Sequence, residues 1–473
     1  MSSAIIEPQT ANQETANQAP RQRSGILINR NFARLAVGQI STLGDVMFTT
    51  TLVVWVGVVL GRGQPWAPLA VSGVMLASAV PMALVGPFAG VFVDRWDKRR
   101  TMLRMDALRG ALMVVLALLI APLALPALPW WPGLAGLSTG GLPVVWRLGA
   151  AYAVIGLVSC ADQFFRPAAV ALIGDIVAEP DRPRAMGVIQ AWISLAMLIG
   201  PPIAAPLALG LGAQWAILFD ALTFAVSFVM LRAIHAPPAA RSGAGARGHG
   251  FLREFGQGIR FLLGQRALRA LVVTALIAML GAGALTALDI FFVTGNLHAP
   301  AAFYGIIEGA QGLGTIVGAL AASLLVRRTG LARAISWSVV ALGLIVIAYA
   351  RLTSFIPAVL LTGVSGIFMA VIGVSTAPLL LKDTPRELVG RVASLLDPVI
   401  TMAAVAGTAL AGYLDSVVLR GFHLSILGVA VGPVDTIFTA AGALVLLGGI
   451  YGLIWLREPE DAESAGAQPE IAA

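Results

Sequence analysis

The chain has 473 residues, of which 58% are hydrophobic and only 12% charged, with a mean hydropathy of +0.87 and a formal net charge of +7. Soluble domains carry about 25% charge, so this is the composition of an integral membrane protein, and basic residues scattered singly between apolar runs make no phosphate-tracking stripe for nucleic acid. The only lysines, Lys98 and Lys382, do not follow a glycine, so a phosphate-binding P-loop is absent; a lone Cys160 leaves neither an intrachain disulfide nor a thiolate metal cluster.

Residues 1–24 are rich in Ala, Gln, Asn, Thr and Pro and have no apolar face to bury, so a disordered cytoplasmic tail is expected over 1–28. The first apolar stretch, Phe32 to Leu60, is longer than the core of a cleavable signal and long enough to cross a bilayer of about 30 Å. Hydropathy, broken at charges and at Gly and Pro, places spans at 33–60, 68–93, 102–125, 147–174, 185–211, 214–235, 268–294, 301–326, 332–350, 354–381, 391–419 and 433–456. None alternates with a period of two, so the predicted fold is all-α, with twelve transmembrane helices.

Arg and Lys set the expected orientation. With the N-terminal tail in the cytoplasm, the inner loops collect Arg95 to Arg104, Arg182, Arg184, Arg232 to Arg269, Arg327, Arg328, Arg333, Lys382, Arg386, Arg391 and Arg457. The outer side keeps Arg62, Arg147, Arg351 and Arg420. This positive-inside bias puts both termini in the cytoplasm of a cell whose plasma membrane the chain crosses repeatedly.

The loop between spans six and seven divides the chain. APPAARSGAGARGHG, 236–250, has linker composition; its Gly243, Gly245 and Gly248 match a dinucleotide-binding spacing but follow no strand. Next, Phe251, Phe255, Ile259 and Leu262 fall on one helical face with Arg253, Glu254, Gln257 and Arg260 opposite, the pattern of a helix lying in the membrane surface. The expected organisation is a six-helix bundle over 29–235, a cytoplasmic linker over 236–267, a second six-helix bundle over 268–457 and a tail over 458–473. The halves echo each other: the loop after span two, Gly90 to Arg100, has a counterpart after span eight in Gly318 to Arg333, and EPDRPRAMG after span four resembles KDTPRELVGRV after span ten. Repeats of this kind mark secondary transporters whose substrate sits between the halves.

Gly90, Asp94, Arg95, Lys98 and Arg99 resemble the signature of the major facilitator superfamily, with Asp97 where that signature has glycine. NRNFARLAVGQISTLGD entering span one, FFRPAAVALIGDIV ending span four and FDALTFAVSF in span six resemble its exporter branch, which includes macrolide efflux pumps and the enterobactin exporter. In span five, Gly187, Ala196, Gly200, Pro201, Ala204 and Ala205 follow the register of the family's antiporter motif, three glycines having become alanines. The resemblance implies two bundles rocking about a central cavity lined by spans one, four, seven and ten, and export against proton entry. It also implies a latch in which Asp94 docks on the start of span eleven, where a helix N-terminus favours negative charge. Gly86 and Gly90, spaced G-x3-G, would let the helices approach closely, and Arg95, Lys98, Arg99 and Arg100 also serve as topology anchors. On this reading Asp94→Asn cripples transport and leaves membrane insertion intact.

A charge inside a span costs at least about 2.5 kcal/mol on insertion scales, so each asks for a reason. Asp45 lies about 18 Å along span one. It is a candidate proton carrier, because burial disfavours its charged form, or a hydrogen-bonded structural residue. Asp162 and Arg166, spaced i, i+4 in span four, form either a structural ion pair or, with Asp45, the proton-coupling group. Asp289 and Glu308, toward the outer side, are candidates for binding a cationic substrate, Asp289 reading equally as a solvated end residue. Asp397, before Pro398, marks a helix break or a gate; Asp220, near the outer start of span six, reads as structural, and Asp106 with Arg109 as a local pair near the inner face.

Enzymatic chemistry finds no footing. The histidines, His235, His249, His298 and His423, are too dispersed for a metal site, and GLSTG at 136–140 matches a nucleophile motif without its strand-turn-helix context. Trp130 and Trp131 are expected to anchor the outer interface. The sequence thus describes a monomeric exporter of amphipathic small molecules (drug, antibiotic or siderophore-like) whose partners are substrate, protons and lipid, with no cofactor, metal or nucleic acid. Uptake, or movement of lysophospholipid, is the alternative transport role, and a non-transporting membrane receptor the alternative class.

Overall fold

In the computed structural model the described residues are 28–93, 95–121, 143–235, 260–262, 264–384, 386–422, 424–426 and 429–456. They form twelve long helical spans. Span one is Arg30–Leu60, built from the helices Arg30–Gly38 and Ile40–Val54 and a closing π-helical turn, Trp55–Leu60. Spans two to six are Ala67–Val93, Lys98–Ile120, Val144–Ile176, Arg182–Gly210 and Ala213–Arg232. Spans seven to ten are Arg266–Gly295, Tyr304–Thr329, Leu331–Tyr349 and Phe355–Asp383. Span eleven, Arg386–Tyr413, also ends in a π-helical turn, Leu414–Val418, and span twelve is Pro433–Trp455. A three-residue hairpin, Leu424–Ile426 against Val429–Val431, ornaments the loop before span twelve.

Eleven of these are apolar enough over a membrane-length stretch to cross a bilayer on composition alone. Span three fails that test because Arg104, Asp106 and Arg109 fall in its apolar stretch. Of the surface-helix reading of 251–266, residues 251–259 and 263 lie outside the described residues, while Arg260 to Leu262 and Gly264 are helical and Gln265 is a bend before span seven.

Packing reproduces the repeat. In the first half, span one packs on five and six, span two on four, and span three on four and six; in the second, span seven packs on eleven and twelve, span eight on ten, and span nine on ten and twelve. Each pairing recurs six spans later. The halves meet along two seams related by the same operation, span five on eight and span two on eleven.

Glycine makes the second half tight. Gly314 of span eight lies against the Gly363 backbone of span ten, and Gly407 of span eleven against Leu280 of span seven, approaches that a Cβ would block. Gly330, at φ +78°, makes the one-residue link between spans eight and nine, a conformation that penalises any side chain.

An even number of spans puts residues 28 and 456, the two ends of the described chain, on one face, called here the termini face. Toward the far face the halves share one apolar core, in which Val54, Trp55, Val71 and Ile217 of the first half join Leu288, Ile290, Val293 and Phe438 of the second. Toward the termini face each half keeps its own: Phe32, Met102, Phe165 and Leu231 in one, Leu271, Ile335, Leu379 and Val445 in the other. The contacts between halves follow the same division. Ser72 of span two donates to the Thr408 carbonyl of span eleven at 2.9 Å, the Leu69 amide to the Ser416 hydroxyl at 3.1 Å, and Gly57 sits on Ile290 and Phe291 of span seven. On the other seam Gly305, Gly309 and Gly312 of span eight lie against Pro201, Pro202 and Met197 of span five. These contacts join the halves toward the far face.

Candidate functional site: a buried charge centre in the first half

The first half is held differently from the glycine-packed second half. Asp45, Arg109, Asp162 and Asp220 each fall near the middle of their own span, so four helices deliver charge to one depth. Arg109, 1% exposed, is the largest fully buried side chain among the described residues. Its Nη2 donates to Asp106 Oδ1 at 2.5 Å and its Nη1 to Asp162 Oδ1 at 3.2 Å, tying span three to span four. The Phe165 and Phe224 rings lie 4.3 and 4.5 Å from the guanidinium carbon, a geometry in which ring faces offset part of the lost hydration. Ser227 of span six donates to the other Asp106 oxygen at 2.6 Å.

The predicted Asp162–Arg166 pair is present, with Arg166 Nε 2.6 Å from Asp162 Oδ2. The Arg166 side chain is 75% exposed and interacts electrostatically with Asp45. A guanidinium so uncovered inside a span belongs on a water-filled cleft and not against lipid. Asp45 is half-buried and lies within the electrostatic reach of Arg109, Asp162, Arg166 and Asp106. Gly200 of the antiporter-like stretch packs on Val46, one residue along, while Pro201 faces Gly305 across the seam; around Gly187 there is open space, with nothing among the described residues within 4 Å of where a Cβ would sit. Asp220, read from sequence as structural near the outer start of span six, is fully buried at mid-depth against Gly44, beside Asp45.

The signature loop binds within its own half. Asp97 caps span three, accepting from the Arg100 amide at 2.7 Å, which gives the departure from glycine a physical role. Lys98 pairs with Asp175 of span four at 2.7 Å. Arg99 donates to the Leu231 and Arg232 carbonyls at 2.9 and 2.5 Å, closing the C-terminus of span six. Arg95 is exposed in the turn, Gly86 faces Gln163 of span four, and nothing among the described residues lies within 4 Å of where a Cβ on Gly90 would sit. Asp94 lies outside the described residues, as does the side chain of Asp397.

Of the substrate candidates, Asp289 is buried and accepts from the Tyr349 hydroxyl at 2.7 Å, beside the Phe292, Tyr349 and Phe438 rings, and so points into its own half. Glu308 is half-buried nearby, bonded to Tyr304, one residue before Gly309 on the seam. At the far face a cavity of about 420 Å³ lies between the two π-helical turns, lined by Gly57, Gly61, Phe291, Asp415 and the exposed Arg62 and Arg420.

Residues 35–295 match the pattern that defines the Major Facilitator Superfamily. The multidrug efflux pump Tap of Mycobacterium tuberculosis (strain ATCC 25618 / H37Rv) is 26% identical over 384 residues, 79% of this chain and 86% of that one. A protein of Bacillus subtilis (strain 168) described as an uncharacterized MFS-type transporter, YkuC, is 26% identical over 261 residues, 52% of this chain; that match spans 53% of the Bacillus protein, about half its length. Among solved structures, the nucleoside transporter NupG superposes with a TM-score of 0.64 at 13% identity, covering 90% of this chain and 99% of that one. A bacterial homologue of the iron transporter ferroportin, in an inward-facing state, gives 0.64 at 15% identity over 91% and 99%. At these identities the structural likeness speaks to fold.

Proposed function

Because the chain belongs to the Major Facilitator Superfamily, a family of multi-pass membrane transporters and not of enzymes, we propose that it exports amphipathic small molecules across the plasma membrane in exchange for inward-moving protons. The observation that carries this reading is the charge centre: four carboxylates, Asp45, Asp106, Asp162 and Asp220, face two guanidiniums, Arg109 and Arg166, at one depth in one half. Fully ionised, such a centre leaves uncompensated negative charge in a low-dielectric site, which is costly, and protons are the simplest counter-charge. Asp45 is the partly exposed member on span one, within electrostatic reach of Arg166, so it is the group that exchanges protons with the cleft. Asp162 and Arg166 set its surroundings.

The clustering of Arg and Lys on the termini face supports cytoplasmic termini, and the far-face position of the contacts named between the halves fits a cleft that opens to the cytoplasm to load substrate. Release requires the far-face contacts around Ser72, Thr408 and Gly57 to part while the termini face closes, where the signature loop with Asp94 would latch on span eleven. Glu308 beside the seam is the better placed of the two candidates for a cationic group on the substrate, since Asp289 is engaged by Tyr349. A membrane potential of 100 mV supplies about 2.3 kcal/mol per charge moved, enough for a substrate gradient near ~50-fold. The kinship with a multidrug efflux pump favours export of several apolar or cationic compounds by one monomer.

A drug-susceptibility panel tests this. Cells expressing the wild type should tolerate several-fold more of at least one amphipathic drug than cells expressing Asp45→Asn. Equal tolerance, with both proteins present in the membrane, would remove Asp45 from the coupling role; greater sensitivity with the wild type would point to uptake.

A further inference from the structure

Asp220, like Asp45, makes no ion pair among the described residues, and its surroundings leave little room for a permanent negative charge. The residue is fully buried. One carboxylate oxygen accepts from Thr223 Oγ1 at 3.1 Å, a hydroxyl that lies 2.7 Å from the Asp220 carbonyl; the other, Oδ2, is buried with no hydrogen-bond partner among the described residues. A lone ionised carboxylate so placed would carry a penalty of several kcal/mol. A protonated one would not.

The neighbours narrow the source of that proton. From span one the titratable group facing Asp220 is Asp45; Gly44 brings the span-one backbone against Asp220 Oδ1 and Thr223 Oγ1, too close for a Cβ. From span three the charged neighbour is Arg109, committed to Asp106 and Asp162, with Asp106 itself turned toward Ser227 farther along span six. Span five, which also packs here, carries charge only at Arg182 and Arg184, at its termini-face start. Asp45 and Asp220 are thus two carboxyls on adjacent helices, Asp45 a partly exposed residue and Asp220 sealed, with Gly44, next to Asp45 in span one, packed on Asp220.

We propose that Asp220 is a second proton-holding residue of the coupling centre, paired with Asp45 so that the two carboxyls share an exchangeable proton between the cleft and the protein interior. The assignment rests on Asp45 being the proton carrier. The shared proton leaves one negative charge on the pair whichever carboxyl holds it; when Asp45 takes a second from the cleft, the pair is neutral and span one can shift against span six without dragging a bare charge. Gly44 has a role in this arrangement, since any side chain there would displace Asp220.

Infrared difference spectroscopy on the full-length protein in nanodiscs, stepped from about pH 9 to about pH 5, reads the protonated-carboxyl C=O signal directly and needs no substrate. The part of that signal which the double variant Asp45→Asn/Asp220→Asn removes should, in the wild type, titrate in two linked steps. Asp220→Asn should remove about half of it and move the midpoint of the remainder by about one pH unit or more, the mark of two sites that interact strongly. Asp45→Asn should do the converse, and Asp220→Glu should restore the second step, which guards against a variant that merely misfolds. A titration of Asp220→Asn superimposable on the wild type would overturn the proposal, as would loss of amplitude with an unmoved midpoint, because a neutral structural carboxyl or an independent one gives those results. Export is judged separately: two linked steps in a protein whose efflux ignores the pH gradient would uphold the pair and sink proton coupling of transport.

Discussion

Replacing Arg109 with leucine removes the bracket between spans three and four. The guanidinium is 1% exposed and holds two carboxylates at 2.5 and 3.2 Å, with the Asp106 side chain fully covered. Breaking a buried pair by deleting one partner costs about 3–5 kcal/mol, chiefly through the charge left behind. Two ring-face contacts, at 4.3 and 4.5 Å, add about 0.5–2 kcal/mol each in a desolvated site. Leucine returns part of this through apolar packing against the same rings, so a net loss of about 3–5 kcal/mol is expected. The assay is thermal unfolding of the purified protein in detergent, followed by intrinsic tryptophan emission. Arg109→Leu should lower the apparent midpoint by several degrees, and the double variant Asp106→Asn/Arg109→Leu should recover a substantial part, since asparagine keeps the contact with Ser227 while removing the orphaned charge. Equal midpoints for wild type and Arg109→Leu, or a double variant worse than the sum of its singles, would refute this account of how the centre is held.

Other consequences are smaller and local. Asp97→Ala should cost about 1 kcal/mol by stripping the cap of span three, whereas Asp97→Gly, which restores the family's usual residue, should cost only a few tenths; the same unfolding assay separates them. Gly314→Val should destabilise the second half by at least about 1–3 kcal/mol, because it forces apart the backbones of spans eight and ten; a silent substitution would mean they are not in contact. Gly412→Leu, whose side chain would run into Ser72 and the Pro68 carbonyl, should pry open the far-face seam. Maleimide labelling of a Ser72→Cys reporter, in a chain with Cys160 replaced, should rise several-fold from the far side; unchanged labelling would place the seam elsewhere.

The spans are legible because each apolar run is long and the loops carry the bases, so boundaries read from Gly, Pro and charge fall within a few residues of the helices. The repeat is legible from Gly90 to Arg100 and its counterpart at Gly318 to Arg333. The site is only half legible. Asp162 and Arg166 can be paired because they are four apart on one helix, but the i, i+3 spacing of Asp106 and Arg109 suggests a self-contained pair and hides the second bond from Arg109 to Asp162, which depends on how span three meets span four. Asp220 stands seven residues into span six, about 10 Å along it, a depth that the hydropathy boundary at 214 also gives; its packing on Gly44 of span one is what the sequence does not show. Gly305, Gly309 and Gly312 announce a close approach by their spacing, yet nothing in one sequence says that Pro201, Pro202 and Met197 form the opposite face. Lys98 and Arg99 read well as topology anchors, while their partners, Asp175 and the end carbonyls of span six, exist only in the folded half.

The most direct test is dye transport into proteoliposomes with the protein inserted in both orientations and an acidic lumen imposed by dilution. Ethidium should accumulate in the wild-type vesicles while the pH difference lasts, stop when an ionophore collapses it, and fail to accumulate with Asp45→Asn. Equal accumulation before and after collapse of the pH difference, in a protein that does move the dye, would contradict proton-coupled export.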